Sequence, residues 1–210
     1  MKHPLSLALA VALAGAAMSP AFAQTSSAES AMSASAEALK GNPFAAKSTL
    51  PLQYPHYDRI KDEHFAPAFD AGMAEQLAEV RAIADNPEAP TFENTILALE
   101  TNGETLGGAM RVFFNLVGTD TNDTRKKLQA DYSAKFAAHR DAIALDPKLF
   151  ARIKTLYDGR AGLGLDAEGV RLVEEYYKDL VRAGAALDEG QKARLKEINS
   201  ELATLGPTLS

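Results

Sequence analysis

From Phe65 onward the apolar side chains recur at spacings of three and four, and no stretch alternates with period two. Phe65, Phe69, Met73, Leu77, Val80 and Ala84 form the first such stripe, which runs to about Asp85. That spacing gathers them on one face of an α-helix and would scatter them over both faces of a strand. A second stripe holds Phe92, Ile96, Leu99, Gly103, Leu106, Met110, Phe113 and Val117, and a third holds Leu128, Tyr132, Phe136, His139 and Ile143. Phe150, Ile153 and Tyr157 predict a short helix ending near Gly159. Val170, Val173, Tyr177, Leu180 and Val181 predict the next, and Leu195, Ile198, Leu202, Leu205 and Leu209 the last. The fold class is therefore all-α: antiparallel helix pairs joined by short loops.

The punctuation between stripes is mostly explicit. Asn86 to Pro90 is a connector, and Thr91 after Pro90 is an N-cap, with Glu93 near the positive end of the helix dipole. The second stripe stays in phase through Asn102 and Gly103, so one long helix is expected there rather than two. Its Gly103, Gly107 and Gly108 each cost about 1 kcal/mol relative to Ala in a helix interior. They mark either a break or a close backbone approach. Thr119 to Asp123 is a turn. Asp146 caps a helix that begins at Pro147. Asp166 opens the next, with Gly184 beyond its end. Asp188 with Gln191 forms a capping box for the last. Pro67 is expected to delay or kink the first turn of its helix.

The rest of the chain divides by composition. The 210 residues carry a net charge of −6, with 46% hydrophobic and 24% charged residues. That is globular composition without the basic face a nucleic-acid binder carries. There is no Cys, hence no disulfide, no thiolate ligand and no lipid-modified cysteine, and stability must come from packing. Lys2 and His3, the apolar run Leu5 to Ala17 and the small-x-small site Ala21-Phe22-Ala23 make residues 1–23 a secretory signal peptide cut after Ala23. The run is shorter than the roughly 20 residues of a membrane span. The expected product is periplasmic or secreted, with no membrane contact after cleavage. Residues 24–42, rich in Ser and Ala, are expected to be a flexible tether. Residues 43–61, with Pro43, Pro51 and Pro55 between Phe44, Leu50, Leu52, Tyr54 and Tyr57, predict an extended arm laid over a helical surface. Residues 43–210 form the helical region. Its last stripe is still in register at Ser210, so the chain is expected to end inside a longer protein and to leave that face partly uncovered.

Candidate chemistry is sparse. His56, Asp58, Glu63 and His64 could gather around a metal, but none has recognised ligand spacing, and a solvated arm histidine and helix-terminus histidine are the plainer reading. His139 lies within a helix, beside Arg140 and Asp141. Asp62-Glu63 and Glu174-Glu175 are sequence neighbours, which diverge on a helix, and read as a helix start and a solvated face. Arg125-Lys126-Lys127 lacks interleaved aromatics and reads as a solvated first turn. Gly162-Leu163-Gly164 follows no strand and is too short to cradle phosphate. Phe113-Phe114 and Tyr176-Tyr177 each turn one ring off the main stripe; such a helix is either buried on two sides or lines a groove, for instance for a peptide. No catalytic, cofactor-binding or metal-ligating residue is assigned from these patterns.

Several ordered blocks carry a resemblance. They are N-P-F at 42–44, L-P at 50–51, Y-D-R-I-K-D-E-H-F-A-P-A-F-D-A-G-M-A-E-Q-L-A-E-V from Tyr57, and N-P-E-A-P-T-F-E-N-T-I-L-A-L-E from Asn86. R-V-F-F-N-L at 111–116 and L-D-A-E-G-V-R-L-V-E-E-Y-Y-K-D-L-V-R-A-G-A-A-L from Leu165 follow. Residues 42–210 thereby resemble the N-terminal portion of the thimet-oligopeptidase-like zinc peptidases, nearest to bacterial dipeptidyl carboxypeptidase and oligopeptidase A. The resemblance implies a mostly helical, two-lobed enzyme whose N-terminal helices wall a channel for short peptides. It also implies zinc held by an H-E-x-x-H helix and a distant Glu, with water activated for hydrolysis. No H-E-x-x-H occurs in the 210 residues, so no zinc ligand or catalytic residue carries over. Gly107-Gly108 and Leu180 depart from the bulkier or aromatic residues common in relatives. The expected function is the N-terminal fragment of an exported oligopeptide-hydrolysing zinc peptidase. It would be inactive without its C-terminal catalytic lobe. The alternative is a non-enzymatic periplasmic helical binding module derived from the peptidase wall.

Overall fold

A computed structural model describes Ser30 and residues 33–205. The signal peptide expected at 1–23, residues 24–29, 31 and 32 of the tether and the last five residues lie outside the described residues. Helices dominate, and there is no β-strand among the described residues. They are α1 (Phe65–Ala84), a π-helical turn (Phe92–Leu97) running into α2 (Ala98–Glu100), α3 (Glu104–Thr119), α4 (Asp123–Ala144), α5 (Pro147–Gly159), α6 (Ala167–Arg182) and α7 (Glu189–Leu205). α1 pairs with α3, α5 with α6, and α4 with α7. Most starts are local chemistry. Thr91 and Asn94 exchange reciprocal cap bonds. Asp146 accepts from the amides of Lys148 and Leu149, Asp166 from Gly169, and Asp188 with Gln191 forms its capping box. Pro67 falls in the first turn of α1, where an N–H has no helical acceptor to lose, and the helix runs through it unbroken.

α1 serves two cores in succession. Its N-terminal half enters an aromatic cluster with α3 and α4: Phe65 and Phe113 lie 5.0 Å apart, and Phe69 meets Phe113, Tyr132 and Phe136 edge-on at 5.0–5.2 Å. Such edge-to-face pairs each add about 0.5–1.5 kcal/mol beyond burial. Its C-terminal half, through Val80, Ile83 and Ala84, joins Ile96, Leu99, Leu149, Ile153, Leu156 and Val173.

Three expectations are corrected. The second stripe is not one helix: α2 stops at Glu100, and α3 starts after Gly103, whose φ of +66° is left-handed. A Cβ there would sit 2.3 Å from Gln76 Nε2. The phase of the apolar residues survives the break, which is why spacing alone does not reveal it. The tether does not extend to residue 42 either. Residues 33–38 are helical, Leu39 is only 3% exposed in the aromatic core, and Ser35 donates to the carbonyl of Ala71. Asn42 donates to the carbonyl of His64. A single leucine anchor in a Ser/Ala background is invisible to composition. In the arm, finally, Phe44, Tyr57 and Ile60 pack against the aromatic core, whereas Leu50, Leu52 and Tyr54 face solvent. Leu52 and Gln53 both adopt left-handed φ, uncommon for residues with a Cβ.

Candidate functional site

The close fit of α1 on α3 sets one wall of the site. At Gly72 the helices approach so nearly that a Cβ would stand 2.7 Å from the backbone nitrogen of Leu106. α7 is tied to α4 by Asn199, whose amide donates to both oxygens of buried Asp141 at 3.0 Å. α3 and α4 touch each other far less. An open groove of about 740 Å³ remains between α3, α4 and α7. Leu106, Met110 and Phe114 line one side, Phe136 and Ile143 the floor, and Leu202 the other side. Phe114 is 41% exposed and Leu202 60%; one turn on, Leu205 is 55% exposed. The uncovered face expected of the last helix is present.

A polar relay from α1 reaches this groove. Asn102 donates to the carbonyl of Leu99 and accepts from Gln76 Nε2 at 2.8 Å. The Gln76 oxygen then lies 2.8 Å from His139 Nε2, which places the imidazole proton on Nε2. Burial pulls the His139 pKa below its usual range, so the ring is neutral at pH 7. Beside it Glu79 accepts from the Gly103 amide at 2.8 Å. Burial raises the Glu79 carboxyl against that bond, and Glu75 and Glu104 add to the rise. His139 was visible in the sequence as a mid-helix histidine. Gln76, 63 residues away, was not.

The other singled-out residues disperse. His64 Nδ1 accepts from the Lys61 amide as a cap. His56 lies 3.8 Å from Asp58. Among the described residues no three His, Asp or Glu side chains converge as a metal site. With His64 used as a cap and His139 bound to Gln76, the residues present do not fit the zinc that the resemblance implies. Arg125 is not solvated as its basic triplet suggested. Its side chain is 14% exposed and pairs with Asp62 at 2.7 Å, tying the start of α4 to the turn before α1. Burial disfavours the Asp62 carboxylate, yet hydrogen bonds from Asn122 and Arg125 hold its pKa low. Glu174 pairs with Arg160 and Lys178 at the surface. Tyr177 stacks on Tyr157 at 3.9 Å and Tyr176 donates to Glu100 at 2.6 Å, so this aromatic pair serves packing. Phe113 is buried, and Phe114 is the ring that lines a groove.

Sequence reasoning missed the buried Arg152. Arg152, 7% exposed, donates to the carbonyls of Asn86 and Glu88, to Asn94 Oδ1 and twice to Thr95 Oγ1. None of these acceptors is a carboxylate. The guanidinium fork pins the 86–95 connector onto α5, and it is a structural clamp.

The helix pairs thus hold an open apolar groove with a polar edge. No protein-family model matches the chain. Over 164 residues, 78% of its length, it is 47% identical to the dipeptidyl carboxypeptidase of Escherichia coli K12, and over 167 residues it is 46% identical to that of Salmonella typhimurium. Across that stretch the chain is homologous to the dipeptidyl carboxypeptidases. It spans about a quarter of the length of these curated relatives.

Proposed function

We propose that the chain is the N-terminal portion of an exported, zinc-dependent metallopeptidase that hydrolyses oligopeptides and releases C-terminal dipeptides. In this reading its helices form a wall of the peptide channel in the periplasm or outside the cell. Zinc and the catalytic groups belong to a C-terminal lobe that this sequence does not contain. The observation that carries the reading is a near-half identity over 164 residues in a sequence without an H-E-x-x-H motif. The chain alone is then expected to be inactive. Purified protein incubated with a blocked tetrapeptide and zinc should release no dipeptide by mass spectrometry, and zinc-dependent release would refute the assignment.

The groove of α3, α4 and α7 favours a second reading, a non-enzymatic helical binding module. Tight, saturable binding of peptides by the isolated chain would support it over the first.

A further inference from the structure

The groove has the anatomy of an interface core, an apolar floor inside a polar rim. Its rim carries Gln129, Ser133, Arg140 and Asn199. Both sides are held independently, α3 by its close seating on α1 and α7 by the Asp141–Asn199 tie. The opening is thus fixed by packing elsewhere and does not close on itself. The apolar surface also continues beyond the groove, along α7 through Leu205.

We infer that this groove is the seat of an apolar helix ridge from the remainder of a dipeptidyl carboxypeptidase polypeptide, with Phe114 and Leu202 as its two lips. The inference rests on the proposed function and deepens it by locating the seam. The occupant follows from length. The matched relatives carry about three quarters of their chain outside the stretch shared with this one, and that mass has to join the helical portion across buried apolar surface. A second copy of the chain is the competing occupant.

The test is a chimera in which this chain replaces the matched segment of the Escherichia coli enzyme, made as wild type and as the Phe114→Lys, Leu202→Lys double variant. In the isolated 210-residue chain the two positions are 41% and 60% exposed, so the double variant should still unfold cooperatively by circular dichroism, its midpoint lowered only by the lost contacts of Phe114 with Phe113 and Phe136. In the chimera it should release dipeptide at least about tenfold more slowly, a 1.4 kcal/mol effect, because two charges would be buried at the seam. Equal activity of the two chimeras would overturn the seam and leave the proposed function standing. A folded wild-type chimera no more active than enzyme lacking the segment would overturn both. Self-association of the isolated wild-type chain, abolished by the double variant, would assign the groove to a second copy and overturn the inference.

Discussion

At the residue scale, Gly72 and Arg152 hold the module together in opposite ways, one by having no side chain and the other by having the most elaborate one. A methyl group at Gly72 would stand 2.7 Å from backbone that cannot move without parting α1 from α3. Gly72→Ala should therefore destabilise by about 1–3 kcal/mol, read as a lower urea midpoint. Arg152→Met should cost about 3 kcal/mol in the same assay, since buried carbonyl and side-chain oxygens lose their donor. Arg152→Lys should recover little, because an ammonium has no planar fork to span four residues. The two kinds of feature differ in how far they could be read from sequence. The caps at Thr91, Asp146 and Asp166 act on amides two or three residues on, so a short window reveals them. The partners of Arg152 lie 57 to 66 residues away, and only the packed fold brings them together. The same is true of Arg125, whose partner Asp62 lies 63 residues away.

At the scale of elements, two oppositely shifted groups border the break between α2 and α3: Glu79 accepts from the Gly103 amide, and His139 is reached from Asn102 through Gln76. His139 has a lowered pKa, so the unfolded chain binds a proton that the folded chain resists. Its contribution to stability is complete above the unfolded value near 6.5 and is lost as pH falls from there toward the folded value. Glu79, with a raised pKa, works in the other direction. The folded chain keeps its proton to higher pH than the unfolded chain, so stability gains as pH falls from the folded value toward 4.5. Urea melts across pH 4 to 8 should separate the two. His139→Gln should lose part of the wild-type decline below about pH 6.5. Glu79→Gln should be more stable than wild type at neutral pH, with the advantage vanishing in acid. A profile for either variant parallel to wild type would contradict the assignment. The break itself was hidden because Leu99, Gly103 and Leu106 keep helical phase across it. The groove was partly legible, in that Phe113-Phe114 announced a ring off the main stripe. Spacing could not tell which neighbouring helix would leave that ring open.

At the scale of the whole molecule, the described residues form three helix pairs, each with one member packed on α1, and leave an apolar groove along α3, α4 and α7. That architecture, the ordered blocks from Asn42 to Leu187 and the identity over 164 residues agree on a helical portion homologous to the dipeptidyl carboxypeptidases, and the proposed function puts the reaction centre in the remainder of such a polypeptide. If the proposed function holds, this chain can take the place of the homologous segment in a working enzyme. The most direct measurement is dipeptide release from a blocked tetrapeptide by three proteins: the Escherichia coli enzyme, the same enzyme lacking its matched segment, and the chimera carrying this chain instead. The expected result is an inactive deletion and a chimera that again releases C-terminal dipeptides in a zinc-dependent manner. A soluble, folded chimera as inactive as the deletion would contradict it.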